Sequence, residues 1–456
     1  MTRPFLTTAC MAAAGIALLM APVVAQAETA VAVPISTPAR AVSVLQADRL
    51  AKAPTELRSY YAYYGSQPLW ISADGNVNAA AHALLKLVQT AQFDDVDPTS
   101  LGADQLAAAV ERAESERTPA ALTDAELQLS AALVAYETAM RQRRVGGMTY
   151  EHPNLQPFAA NGQSILHDAA TSASLTDYIS QLQWMHPLYG SLRAALVGDT
   201  VVANRQAIVK NLERLREIPR SPAARYILVD AASARLFMYE GDHVVDSMRV
   251  VVGKPEMATP SLAGYVRYAT FNPYWYVPSD LVPKRIAPNV LSQGMPYLKR
   301  QGYQVVSEFS DDAQVLDASK VNWRAVAAGT EQVKIRQQPG GANAMGKVKY
   351  EFPNAFGIYL HDTPERELLA EDARQFSSGC IRLEDAQRLG RWLMGDSMPQ
   401  TVIGTEQRMD LAQPVPVYVT YITASVTDGQ VAIGPDPYAR DVAPDVQPRA
   451  LALVAN

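Results

Sequence analysis

The spacing of apolar residues changes once along this chain, near Pro222. Before that point they recur at intervals of three and four, the period of a helix with one buried face. The runs are AAAHALLKLVQTAQ from Ala79, DQLAAAVERAESE from Asp104, TDAELQLSAALVAYETAMRQRRV from Thr123, and NRQAIVKNLERLREI from Asn204 to the stop at Pro219. Thr123 followed by Glu126 reads as a capping box opening the third helix. After Pro222 the rhythm becomes that of short strands: RYILVD, RLFMYE and HVVDSMRVVVG, with Gly241-Asp242 at a hairpin turn. Further strands are expected at YVRYATF, GYQVV, QVKIR, AFGIYLHD, TVIG, VPVYVTYITASV and QVAIG, and a helix over about Leu383–Met394. Between Tyr276 and Thr330 four prolines (Pro278, Pro283, Pro288, Pro296) break a stretch too long for a simple loop, which predicts a small inserted lid. The pattern predicts an α+β protein, mainly helical first and β-rich second.

A length of 456 residues exceeds what one hydrophobic core usually organises, and 48% apolar residues suffice for two or three. A formal charge of −6 excludes the basic surplus of a nucleic-acid binder. The opening segment has Arg3, an apolar run and then Ala25-Gln26-Ala27, the layout of a secretory signal peptide cut before Glu28. The alternative of an uncleaved anchor fits less well, because the run is short for a bilayer span. The expected order is a signal peptide at 1–27, a linker at 28–48, a helical domain at 49–220, a β-rich domain at 221–440 with its lid at about 276–330, and a tail at 441–456. An exported chain belongs in the periplasm or cell envelope.

With Cys10 removed alongside the leader, Cys380 is the one cysteine of the mature chain. In an oxidising compartment a single thiol has no internal disulfide partner, so it is either an inert apolar filler or a reactive group. A thiol attacks carbonyls as thiolate, which calls for a nearby base and for donors to the oxyanion. The stretch Tyr359-Leu360-His361-Asp362-Thr363-Pro364, closely followed by Phe376-Ser377-Ser378-Gly379-Cys380-Ile381-Arg382, offers these parts. His361 closes an expected strand; Gly379 lets backbone approach a substrate; Cys380 is expected just before a helix, whose terminal amides favour anions. Arg382 is either a clamp for a substrate carboxylate or a structural ion pair. The other histidines show no metal-ligand spacing, and no GxSxG elbow is present, so neither a metal nor a cofactor is expected. Papain-like enzymes generally place cysteine before histidine; here the order is reversed.

His361 with Ser377-Ser378-Gly379-Cys380-Ile381-Arg382 resembles the signature of L,D-transpeptidases with a YkuD-type catalytic domain. Arg225–Val229, Val252-Gly253-Lys254, Asn272–Pro278, Gln338-Pro339-Gly340, Asn343–Gly346 and Phe352-Pro353-Asn354 resemble the larger, YcbB-like branch, with a helical scaffold before the catalytic domain. The resemblance spans roughly residues 45 to 440. It implies acyl transfer on peptidoglycan stem peptides: Cys380 as nucleophile, His361 as base, and a thioester resolved by a neighbouring stem's amine into a 3→3 cross-link. Water or a free D-amino acid in place of the amine would give carboxypeptidase or exchange activity, and a non-catalytic wall-binding scaffold is the alternative outside enzymes. Gly379 and Ser378 belong to the implied catalytic motif, and Arg382, Tyr359, Asn354 and Trp275 to the implied substrate cleft. The implied partners are tetrapeptide donors, diamino-acid acceptors, carbapenems as covalent inhibitors, and cell-wall synthases. Two departures stand out. Ser378 replaces a second histidine common in the family, so any orienting role of that imidazole is absent or taken over by a hydroxyl, and no peptidoglycan-binding module separates the helical and catalytic regions.

Overall fold

A computed structural model describes residues 45–142, 147–157, 160–198, 202–310, 312–399 and 401–441. The expected leader, nearly all of the linker and the tail after Asp441 lie outside the described residues. The chain begins with helices α1 (Ala47–Leu50), α2 (Thr55–Tyr63), α3 (Ala79–Gln89), α4 (Ala103–Glu116) and α5 (Pro119–Met140). A two-residue strand, β1 (Thr149–Tyr150), precedes α6 (Gly162–Thr171), α7 (Leu175–Ser180), α8 (Pro187–Gly198) and α9 (Val202–Leu215). Side-chain caps start several of these: Asn78 accepts from Ala81 N at 3.0 Å and Asn161 from Ser164 N at 2.8 Å.

The expected capping box at Thr123 is not where α5 begins. Thr118 caps the helix, accepting from Ala121 N at 3.2 Å, and Pro119 fills the first turn, where a missing N–H costs nothing. Thr123 instead donates back to Pro119 O at 2.6 Å. Glu126, wholly buried, accepts from Trp70 N at 3.0 Å and from Tyr61 Oη at 2.6 Å.

One buried carboxylate ties the helices together. Asp94 accepts from Tyr136 Oη at 2.7 Å, Tyr189 Oη at 2.8 Å and Arg193 Nε at 2.7 Å, joining α5 and α8 to the turn after α3. Arg216, just past α9, reaches the same turn through Asp94 O at 2.6 Å.

The second half opens with β2 (Arg225–Asp230), β3 (Arg235–Glu240), β4 (His243–Gly253) and β5 (Leu262–Phe271), the first three joined as antiparallel neighbours. There follow β6 (Trp275–Tyr276), α10 (Ala287–Gln293), α11 (Pro296–Gln301), β7 (Tyr303–Val306), β8 (Val315–Leu316), α12 (Trp323–Ala327) and β9 (Lys334–Gln337). These elements pack round a core of their own, including Trp275, Ile286, Leu298, Trp323 and Ile335, and their strands form a separate sheet in the order β6-β9-β7-β8. The remainder is β10 (Val348–Glu351), β11 (Leu360–His361), β12 (Gln375–Ser377), β13 (Ile381–Leu383), α13 (Ala386–Met394), β14 (Gln407–Thr420) and the hairpin β15 (Ala424–Thr427) and β16 (Gln430–Ile433).

The main sheet runs β1-β5-β10-β11-β13-β4-β3-β2-β14, with β12 beside β4. Because β14 pairs with both β2 and β5, the sheet closes on itself. Successive side chains of a strand point to opposite faces, and β2 uses both. Ile227 and Val229 enter the core inside the closed sheet, while Tyr226 and Leu228 join the core of the helical half. Tyr226 stacks on Tyr239 with ring centroids 4.5 Å apart, and Tyr418 Oη donates to Leu155 O at 2.9 Å, so the helices cover the outer face of β2, β3 and β14.

Two further expectations fail. No strand forms at Thr401–Gly404, and no helix begins at Leu383: Ile381–Leu383 is strand, and α13 starts three residues later under an Asp385 cap that accepts from Arg388 N at 2.9 Å. Among the described residues no helix is long and apolar enough to cross a membrane. Asp94→Ala would leave the Arg193 guanidinium buried without its partner, and should destabilise the protein by about 3–5 kcal/mol; urea unfolding of the variant against the parent measures this.

Candidate active site

The site is set by three neighbouring strands. In β10, β11 and β13, Lys349 pairs with His361 and His361 with Arg382, so these three side chains form one row across the sheet. Cys380 stands two residues before Arg382, as Tyr359 does before His361, and the period of two places Cys380 and Tyr359 on the face that carries the row. Ile381 N donates to Tyr359 O at 2.9 Å and locks the register beside the thiol. The sulfur lies 3.7 Å from Gly357 O and also receives the Tyr359 N–H.

His361 is 2% exposed, and its Nδ1 is hydrogen-bonded to Asp362 O at 2.6 Å. A carbonyl can only accept, so Nδ1 carries the proton and Nε2 is left as the basic nitrogen. Burial, aided by the Arg382 and Lys349 charges, pushes the imidazole down to about 3. Burial also pushes the Cys380 thiol up, against the opposing pull of the Tyr359 N–H and of Arg382 and Lys349. Both shifts favour the uncharged forms, imidazole and thiol.

Arg382 pairs with Glu365, which also faces Arg285 of the lid at 3.9 Å. Lys349 pairs with Glu351 at 2.8 Å and sits 5.1 Å over the Tyr359 ring. Tyr359 is held by backbone bonds against the cysteine, and its phenol is pushed up by burial. Two residues expected in the cleft make structural contacts. Asn354 spends its amide on its own loop, donating to Phe352 O at 2.7 Å and Ile358 O at 2.9 Å and accepting from Phe356 N and Ile358 N. That loop presents Gly357 O to the sulfur. Trp275, 9% exposed, is part of the lid's core, with Arg285 5.9 Å over its ring.

The cysteine's own turn depends on Ser377 rather than Ser378. Ser378 is exposed, whereas Ser377 is buried and donates to Cys380 O at 2.6 Å while accepting from Gly379 N at 3.1 Å. Gly379 adopts φ +117°, and a Cβ there would stand 3.1 Å from Ile358 Cδ1, so the position favours glycine. The expected helix N-terminus behind Cys380 is absent because β13 occupies that place; any amide stabilisation has to come from the turn itself. Among the described residues no cluster of His, Cys, Asp or Glu could hold a metal ion.

The site is thus a strand histidine in a closed sheet beside a cysteine in the turn that leads into the neighbouring strand, and comparison with known proteins finds matching domains. Residues 224–419 match the YkuD L,D-transpeptidase catalytic domain, and residues 55–196 match the Scaffold domain. A Haemophilus influenzae protein named as a candidate L,D-transpeptidase is 26% identical over 399 residues, covering 84% of this chain and 78% of that protein. Among solved structures, an L,D-transpeptidase from Mycobacterium smegmatis is 14% identical with a TM-score of 0.22, the match covering 43% of this chain and 58% of that one. The L,D-transpeptidase LdtMt1 in complex with imipenem is 12% identical with a TM-score of 0.21, over 43% and 58% of the two chains. The chain thus carries a YkuD L,D-transpeptidase catalytic domain over residues 224–419, preceded by a Scaffold domain over residues 55–196.

Ser377→Ala removes a buried hydroxyl that serves two backbone groups and should cost about 1–3 kcal/mol while slowing iodoacetamide alkylation of Cys380. Ser378→Ala should change neither. Thermal melts and alkylation rates of the two variants side by side make the check.

Proposed function

We propose that this protein is a cell-envelope L,D-transpeptidase of the YcbB-like branch that forms 3→3 cross-links through a Cys380 thioester. The observation that carries the reading is the pairing of His361 with Arg382 on adjacent strands, two residues from Cys380, with Nδ1 held by Asp362 O and Nε2 left as base.

The reaction follows from two neutral partners. As the sulfur bonds to the carbonyl carbon between the diamino acid at stem position three and D-Ala at position four, the thiol proton passes to Nε2 of His361. Collapse of the tetrahedral intermediate breaks the C–N bond; the departing D-Ala amine takes that proton, leaving a thioester. The side-chain amine of a second stem then attacks, gives a proton to His361, and expels the thiol as the new amide forms. One imidazole serves both halves. The Cys380 N–H takes no partner among the described residues and supports the role of donor to the oxyanion. A carboxylate on the substrate would reach Arg382 by exchanging with Glu365. The lid, linked to Glu365 through Arg285, favours amine over water by excluding solvent. Secretion through the leader, covalent inhibition by carbapenems and contact with cell-wall synthases belong to the same reading.

Incubation with disaccharide tetrapeptides should yield dimers joined through two diamino acids, read by mass spectrometry, and Cys380→Ala should yield none. Tripeptides alone would make the enzyme a carboxypeptidase, and unchanged substrate would refute both. The pH profile offers a separate check. With the imidazole near 3 in the free protein, the base stays available through the range in which ordinary histidines gain a proton. The acid limb of kcat/KM should therefore lie below about pH 5, whereas a limb near 6.5 would show that His361 is not buried as described.

A further inference from the structure

The peptide between Gly379 and Cys380 is held at its carbonyl. Thr259 Oγ1 donates to Gly379 O at 2.8 Å, a carbonyl that can only accept, and accepts from Gly253 N at 2.9 Å. A trans peptide is planar, so fixing the carbonyl sends the N–H of Cys380 the opposite way. That N–H belongs to the residue whose sulfur attacks, and it is otherwise unpartnered among the described residues.

Thr259 is in turn fixed from a distant part of the chain. It is fully buried, its N–H faces Tyr438 Oη at 3.4 Å, and Tyr438 Oη donates to Gly253 O at 2.5 Å. Gly253 has no room for a side chain: a Cβ would come within 2.1 Å of Met257 O and 2.7 Å of Thr259 N. Arg440 donates to Thr259 O at 3.2 Å and lies 5.0 Å over the Tyr438 ring. Tyr438 and Arg440 both fall beyond residue 419, where the YkuD match ends.

We infer that Thr259 is a positioning residue for acyl transfer: its hydroxyl aims the Cys380 N–H at the oxygen that gains charge in the tetrahedral intermediate, with Tyr438 holding Thr259 in place. The inference rests on Cys380 being the nucleophile. It separates two reactions of one sulfur. Acylation by a carbapenem passes through an oxyanion, whereas alkylation by iodoacetamide displaces iodide and creates none.

The test compares Thr259→Val, Thr259→Ser and Tyr438→Phe with the parent, following imipenem acylation by mass and iodoacetamide alkylation in parallel. Thr259→Val should slow acylation roughly 10- to 100-fold and leave alkylation within about twofold; Thr259→Ser should restore acylation, and Tyr438→Phe should fall between. Equal losses in both reactions would mean that Thr259 merely holds the sulfur or the fold, and would overturn the proposal, as would unchanged acylation in Thr259→Val. If the parent protein is alkylated at Cys380 but never acylated, the nucleophile reading itself fails and the proposal falls with it; normal parent acylation with an indifferent Thr259→Val sinks this inference alone.

Discussion

Everything at the site depends on the parallel pairing of two very short strands, Leu360–His361 and Ile381–Leu383. That register puts imidazole and thiol on one face, brings Lys349 and Arg382 to either side of the ring, and fixes the backbone at Tyr359 against the sulfur. Strands of two and three residues have little stability alone. They persist because β10 on one side and β4 on the other belong to a closed sheet with a continuous apolar interior. Reactive geometry is thus a property of the whole closed sheet, while the chemistry is confined to a few atoms at one edge of its core.

The electrostatics have a common logic. Burial and two flanking cations keep the histidine neutral, and burial keeps the thiol protonated, so charge separation is deferred until a substrate carbonyl is present. The cations are themselves balanced, Lys349 by Glu351 and Arg382 by Glu365, which leaves the site close to neutral without removing the field on the ring.

Much of this was legible in local sequence. Helical and strand periods located most elements, and the chemistry lay in one short stretch, from Tyr359 to Arg382. The misreadings were also local and have physical causes. Thr123 and Glu126 have capping-box spacing, but Thr118-Pro119 offers a stronger start and Glu126 is drawn inward by the Trp70 amide. Ile381 and Leu383 fit an amphipathic helix as well as a strand until the Asp385 cap is weighed. The contacts by which Asn354 braces its loop and Trp275 packs into its subdomain's core were not legible in sequence, because they are tertiary. Thr259 and Tyr438 gave no local signal at all, since their bonds to Gly379 and Gly253 span more than a hundred residues of chain.

The closure of the main sheet by β14 has a consequence for assembly. Strands β2 and β5 come before β14 in the chain, yet one edge of each waits for that single later strand. Contacts of such long sequence separation form late, and until then two unsatisfied edges are open to mispairing with other chains. The helical half precedes β2 in the chain and packs on the outer face of β2 and β3, so it offers one side of the unfinished sheet a surface to cover it.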